Sequence, residues 1–586
     1  MKILFFSPTA YFSVHSLPEA LVAETLSKFG HEVVFVRCDG LFKSHCLAMS
    51  QVPVDDEKTK SMRCDACRST RDAITGEFGF TSLMLDRLVS PEDVALADEA
   101  ADSLDPESYL EFEIDGMPLA KFALYEFWLD HKLSSSDIPS GLWPQYRTQL
   151  RNVVLTFYAM RRVLTQQRPD RVVTYNSLYS VNRTVCSLCD TLNIPHFMLH
   201  AGRHHKRRLQ QMTVFKGIAN HSLIGHLPTA KQYRAIPCTA DQVDMVTEHV
   251  KELLNATSPW VYSIKSGGSP SHDLLDRFGV RPGQKVILAI MRSNDERLAA
   301  AYAGIGHYEE AKPIFADQYE WLSWLIEYAR GNPEYSIIFR VHPREFPNKR
   351  EQVTSQNAMK FVAFLKNLDL PPNFHINLPQ DQLSLHDLLK ITDAVLNNTS
   401  TAALEASLFG IPVVGIGDDV FSFDLSLQEE PESIPEYVAK IKSAASRGWS
   451  FARVVAAYRW LNYVNSETSI DISDGYRAAQ SSDRLWARIF RKLERGARRA
   501  LGLRQALPEV RGRPETLKNA ARLTYAIVNN KDSHIGVYAA AERGDEKLEA
   551  KKIAEAYEVL MNSIRDPHDT IFLSKYSRAL SQVSAR

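Results

Sequence analysis

Short apolar runs alternate with amphipathic stretches along most of this chain. KILFFS reads as a buried strand stopped by Pro8, LPEALVAETLSKFG as a helix closed by Gly30, and HEVVFVRC as the next strand. Strand, helix, strand in that order is a parallel βαβ unit, whose crossover is right-handed. RVVTYNS (171–177) reads as another strand, 180–192 as a helix, and IPHFMLHAG (194–202) as a strand with a glycine turn. Residues 41–80 lose the periodicity. Residues 95–165 read as helical, with YLEFEIDG (109–116) as a strand edge.

A polar Gly/Ser/Pro stretch, SIKSGGSPSH (263–272), has the composition of an inter-domain connector. The rhythm then restarts. KVILAIM (285–291) is continuously apolar, as strands of a sheet covered on both faces are. QYEWLSWLIEYARG (318–331) follows as a helix, then the strands YSIIFRVHP (335–343) and FHINLP (374–379), the helix LSLHDLLKIT (383–392) and the strand DAVLNN (393–398). The pattern predicts α/β architecture with two facing Rossmann-like, doubly wound domains. These are 1–265, carrying a cysteine-containing insertion at 38–80, and 275–470. A helical extension, 471–586, contains the basic amphipathic helix 483–504.

Length and composition agree with this. At 586 residues the chain exceeds one core, and 45% hydrophobic with 24% charged residues is ordinary for a folded protein. A net charge of −1 gives no global attraction to nucleic acid. No apolar run approaches the ~20 residues that span a bilayer. ILFFS is read as a strand rather than a signal peptide, and seven cysteines, an odd number, fit a reducing, cytoplasmic setting.

The chemistry concentrates in NNTSTAALEASLFGIPVVGIGD (397–418). Ligands of open α/β sheets bind outside the carboxyl ends of strands, and a helix start there offers free N–H groups and a partial positive charge. Thr399, Ser400 and Thr401 can donate to phosphate oxygens at that point. Glu405, one turn on, is an acceptor suited to ribose hydroxyls. The alternative is an N-capped helix with a solvated Glu405. RVHPRE (340–345) ends another strand. Alternation puts Arg340 and His342 on one face, and Pro343 fixes the loop. His342 can donate to a phosphate or protonate a leaving group; otherwise it only ties down a loop. Arg292, Ser293 and Asn294, after KVILAIM, would line the same rim, or form an ordinary polar loop.

The run RVHPRE … LSLHDLLKITDAVLNNTSTAALEASLFGIPVV resembles the donor-binding domain of GT-B glycosyltransferases, and within them bacterial capsule-polysaccharide synthesis proteins that include Kdo transferases. Bacterial sialyltransferases and CDP-glycerol-type polymerases share a similar His-Pro and Ser/Thr pair. The resemblance is good over about residues 285–420 and general over 1–40 and 170–202. It implies that His342 and Pro343 meet the nucleotide phosphate, that Ser400 and Thr401 form the hydroxyl motif, and that Glu405 holds ribose. The acidic element of the sialyltransferases is missing, IDG (114–116) being a poor substitute, so the acceptor base is left to the first domain's strand ends. His15 and Glu19 rank first there, ahead of Asp39 and His200.

The activity expected is sugar transfer from a nucleotide-activated donor, a CMP-Kdo-like acid sugar before a UDP-sugar, to a glycan or lipid-linked glycan acceptor, with no cofactor required. The alternatives are polyol-phosphate transfer from CDP-glycerol and a non-catalytic nucleotide-sugar-binding scaffold. Cys38, Cys46, Cys64 and Cys67 are spaced C-x7-C-x17-C-x2-C, which allows a structural zinc or free thiols. The basic helix 483–504 suits either peripheral attachment at the inner membrane face or packing across the domains.

Overall fold

The computed structural model describes residues 1–50, 52–218, 233–258, 261–262, 264–293, 295–304, 313–348, 352–416, 427–476, 514–537 and 543–582. Two sheets organise them. The first has seven strands in the order β12-β6-β5-β4-β1-β2-β3. These are β1 (Lys2–Phe6), β2 (Glu32–Arg37), β3 (Thr81–Met84), β4 (Arg171–Tyr175), β5 (His196–Ala201), β6 (Gln211–Lys216) and β12 (Ile470–Asp471). β5 through β3 run parallel, whereas β6 and β12 are antiparallel additions at one edge. The second has five parallel strands in the order β11-β10-β7-β8-β9. They are β7 (Lys285–Ile290), β8 (Tyr335–Arg340), β9 (Phe374–Asn377), β10 (Ala394–Asn397) and β11 (Val413–Val414).

Period-two alternation explains why the strands read as unbroken apolar runs. In β1, Leu4 and Phe6 enter one core while Ile3 and Phe5 enter the core on the opposite face. In β7, Val286, Leu288 and Ile290 pack on one side, and Ile287 and Ala289 on the other. Each sheet is therefore covered twice, which makes two Rossmann-like lobes.

Several expectations fail in informative ways. The stretch read as aperiodic contains a helix, Glu57–Phe78, whose buried positions are Lys60, Thr70, Arg71 and Ile74. A helix that buries polar side chains shows no apolar stripe. YLEFEIDG is not a strand: Tyr109–Glu111 is a short 3-10 turn, followed by an isolated bridge between Ile114 and Met117. The connector 263–272 is not loose, because Asp387 accepts from Ser266 Oγ (2.5 Å) and Gly267 N (2.9 Å), and Asp569 accepts from Ser271 Oγ (2.7 Å).

The lobes also divide differently from the sequence reading. Cys238, Val243, Val246, Val250, Leu253 and Leu254, assigned above to the first domain, pack in the second lobe's core. The extension is shared. Leu517, Leu523 and Ile527 join the first lobe, as does Ile470 from the end of the second predicted domain, whereas Ile553, Tyr557, Phe572 and Tyr576 join the second. Helix Asp295–Tyr302, which follows β7, leans back into the first lobe's core through Ala299 and Ala300, joined by Ala303 just beyond it. The basic helix 483–504 lies outside the described residues. Among the described residues, no helix is long and apolar enough to cross a membrane.

Candidate active site

The second sheet's strand order places β7 between β10 and β8, with Asn397, Ile290 and Arg340 in register at their carboxyl ends. The loop after β10 and the loop after β8 thus flank the end of β7, two strand spacings, or about 10 Å, apart. The order reverses between β7 and β10, which is where open α/β sheets bind ligands.

Helix Ala402–Phe409 begins directly after the β10 loop, and the side chain of Thr401, at its start, makes no capping bond. Ser400 is buried and Thr401 exposed. Asn397 Oδ1 accepts from Ser400 N (3.1 Å), and Ser400 Oγ accepts from Ala402 N at a long 3.4 Å. Thr399 has φ 49°, a left-handed conformation that is costly for a β-branched residue. Gly410 ends the helix with φ 87°, and its N–H donates to Ser407 O (2.9 Å). A Cβ there would lie 2.9 Å from the Ser450 carbonyl oxygen, so glycine is required twice over.

Glu405 is not a solvated helix residue. Its side chain is 13% exposed, and Oε2 pairs with His386 Nε2 at 2.8 Å. His386 comes from helix Leu385–Ile391 and is wholly buried. Sequence reasoning missed it; the signal was a lone imidazole among leucines. Arg340 faces the same side. Its Nη1 donates to Asn377 Oδ1 (2.5 Å) and Leu383 O (3.1 Å). Burial pulls its pKa down to about 10, although Glu405, Asp381 and Asp387 nearby favour the cation. It stays charged at neutral pH, but one of its amino groups is committed to β9.

His342 is half-buried just beyond β8. Its Nδ1 accepts from Arg344 N (3.2 Å), which leaves the proton of a neutral ring on Nε2. Burial, and then Arg344, lower its pKa to about 4. The imidazole at neutral pH is therefore an uncharged N–H donor with a fixed tautomer, and of the two roles read from the sequence it is prepared for the first. Pro343 opens the short turn that follows.

A buried ion pair joins the β7 and β8 loops: Arg344 Nε to Asp295 Oδ2, 2.9 Å. Ser293 Oγ donates to Asp295, and Arg344 also donates to Tyr262 OH. The Ser293 hydroxyl is thus spent on structure. Arg292 is half-buried, its N–H donating to Gln318 Oε1 (2.9 Å), and Asn294 lies outside the described residues. Lys132, from the first lobe and also unforeseen, reaches Arg344 O and Val353 O.

The first lobe has its own cleft, with a cavity of about 80 Å³, at the carboxyl ends of β1, β2 and β4. It again sits at the reversal of strand order, between β1 and β4. His15 and Glu19 both line it. His15 stacks on Tyr175 (centroids 4.5 Å apart), and burial lowers its pKa to about 4. Glu19 accepts from Ser7 Oγ (2.5 Å), and burial raises its pKa to about 7. A second carboxyl, Glu126, accepts from Ser180 N at the start of helix Ser180–Thr191 and is likewise raised to about 7 by burial. Asp39 is held by Arg71 (2.7 Å), and His200 stacks behind Tyr175 at 5.8 Å.

Cys38, Cys46, Cys64 and Cys67 line this cleft as well, all as free thiols. Cys64 and Cys67 sit on a continuous helix rather than a turn. Cys67 Sγ accepts from Ala10 N (3.2 Å), and burial pushes the Cys38 thiol up to about 12. Among the described residues no group of three or more His, Cys, Asp or Glu is placed to hold a metal ion, so the four-thiolate zinc reading does not fit this arrangement.

No protein-family description matches the chain, and no curated protein matches it. Among solved structures it is similar to the calicheamicin glycosyltransferase CalG4, at 15% identity over 79% of this chain and 93% of that one, with a TM-score of 0.25. It is also similar to the UDP-GlcNAc 2-epimerase of Methanocaldococcus jannaschii in complex with UDP-GlcNAc and UDP, at 11% identity over 78% and 98% with a TM-score of 0.24. The spinosyn rhamnosyltransferase SpnG follows, at 12% identity over 78% and 94% with a TM-score of 0.21. At these scores the likenesses carry no argument about activity. What stands is the chain's own architecture: two Rossmann-like α/β lobes joined across a seam.

Proposed function

We propose that this chain is a glycosyltransferase of GT-B type that takes its sugar from a nucleotide-activated donor. The observation that carries the reading is the pairing, across the end of β7, of the helix start bearing Ser400 and Thr401 with the Nε2–H donor of His342. The helix start supplies about half a positive charge to the leaving phosphate, beside the exposed Thr401 hydroxyl. His342 adds a neutral hydrogen bond that strengthens as charge develops there. Glu405, oriented by His386, accepts from ribose hydroxyls. Arg340 supplies a fixed positive field beside it. The acceptor, a glycan or lipid-linked glycan, enters the first lobe's cleft, where Glu19 or His15 takes its proton.

A CMP-linked acid sugar is the first choice of donor and a UDP-sugar the second. Donor-hydrolysis assays with CMP-, CDP- and UDP-linked compounds test the reading. Release of nucleotide from one sugar-linked class supports it. Turnover of CDP-glycerol alone would make the chain a polyol-phosphate transferase. Nucleotide binding without turnover in any donor–acceptor screen would make it a scaffold.

A further inference from the structure

The first lobe's cleft carries an unusual set of loose ends. Three of its lining side chains, Glu19, Gln149 and Asn182, are 2%, 5% and 4% exposed, yet each holds a buried polar atom with no protein partner. These atoms are Glu19 Oε1, Gln149 Nε2 and Asn182 Oδ1. The Asn182 orientation is set by its own network, since Nδ2 donates to Tyr175 O (2.7 Å) and Asn176 O (3.0 Å). The Glu19 orientation is set by Ser7, which occupies Oε2. The three come from three different helices, Ser13–Lys28, Trp143–Gln167 and Ser180–Thr191, so no local turn explains them. Buried polar groups in folded proteins are paired almost without exception, and a cluster of unpaired ones beside a cavity marks a place where a ligand or water completes the bonding.

Much of the rest of the wall is apolar or aromatic, with Phe42, Leu47, Met49 and the His15–Tyr175 stack, beside the polar groups Glu126, Asn152 and Arg68. A molecule that fits must offer two donors and an acceptor at one edge and a flat apolar face at another. Hydroxylated pyranose rings have that character: hydroxyls at the rim and C–H groups on the face. We propose that the cleft binds an uncharged glycoside, with Glu19 Oε1 and Asn182 Oδ1 accepting from its hydroxyls and Gln149 Nε2 donating to a ring or hydroxyl oxygen. An anionic sugar fits less well above pH 7, where its carboxylate would meet Glu19 and Glu126 in their ionised forms. Arg68 lines the cleft too, but it is paired with Asp65 at 2.5 Å. This deepens the proposed function, resting on its assignment of the acceptor to the first lobe.

The test is direct binding, read without turnover, on the full chain. Methyl glycosides of the neutral hexoses are titrated beside the matching methyl uronates by saturation-transfer NMR and calorimetry. At least one neutral glycoside should bind 10-fold or more tightly than its uronate. Gln149→Leu should weaken it 10-fold or more with the melting temperature unchanged. Gln149→Glu, which keeps size but replaces donor with acceptor, guards against a packing artefact and should weaken it as much. Failure of every neutral glycoside to bind, uronates binding equally well, or both variants binding like the parent would overturn the proposal. CMP and UDP titrated into the same samples report on the second lobe separately. Glycoside binding without nucleotide binding would sink the donor reading alone, and the reverse would sink this one alone.

Discussion

Lys132 Nζ lies 2.5 Å from the carbonyl oxygen of Arg344 and 3.2 Å from that of Val353, across the seam between the lobes. Lys132 is 1% exposed and has φ 47° at the end of helix Leu124–His131. A first-lobe ammonium thus holds the loop that carries His342. Hydrogen bonds from charged groups are worth about 1.5–3 kcal/mol. Lys132→Met should lower unfolding free energy by about that amount in urea titrations and raise the donor KM more than it lowers kcat. An unchanged KM would mean that the latch does not position the loop.

His342→Ala should cut transfer at least ~100-fold with the fold intact, by removal of one preorganised donor. The pH dependence has a definite sign. The native pKa of about 4 lies below the ordinary 6.5, so between those values the unfolded chain binds the proton and the native ring does not. The stability contribution is complete above pH 6.5 and falls as pH drops toward 4. The difference in stability between parent and His342→Ala should therefore change across that window and level off above it, as equilibrium unfolding at stepped pH would show.

Glu19 has the opposite sign. Burial raises its pKa to about 7 from 4.5, so the native state keeps a proton that the unfolded chain releases, and stability from this group falls as pH rises from 4.5 to 7. Glu19→Gln should gain on the parent by roughly 3 kcal/mol between pH 4.5 and 8. Equal pH profiles of the two proteins would show that the carboxyl is ionised in the native state.

Removing Glu405 should be felt first in nucleotide binding. Glu405→Ala should cut transfer at least ~100-fold. His386→Leu, which keeps the carboxylate but frees it from its 2.8 Å partner, should weaken nucleotide binding about 10-fold, or ~1.4 kcal/mol. Calorimetry with CMP and UDP separates the two effects.

Thr399 stores strain where the ligand turn begins. Thr399→Gly should stabilise the fold by about 1 kcal/mol and lower transfer, because a relaxed turn no longer presents Ser400 and Thr401. Gly410→Ala should act the other way, costing about 1–3 kcal/mol through a positive φ and the clash with Ser450.

Much of this architecture was legible because β1, β7, β8 and β10 are covered on both faces, and continuous apolar runs are the direct trace of that. Gly410 and Pro412 marked the end of helix Ala402–Phe409 for the same local reasons that fix its geometry. The helix Glu57–Phe78 was invisible because Lys60 and Arg71, not leucines, point inward. β12, two residues long, has no pattern to read and exists only because β6 offers it an edge. At the candidate site, the hydroxyls of Thr399, Ser400 and Thr401 stood out in the sequence by type and position. His386, Lys132, Gln149 and Asn182 did not, since each takes its meaning from a neighbour tens of residues away.

The chain passes from one lobe to the other and back again: after β6, before β12, and once more beyond helix Ala520–Asn529. Neither half is consequently a self-sufficient folding unit. Severing the polypeptide near residue 470 would strip the outer layer from both cores at once. Any relative movement of the two halves would have to deform several tethers at once rather than a single hinge.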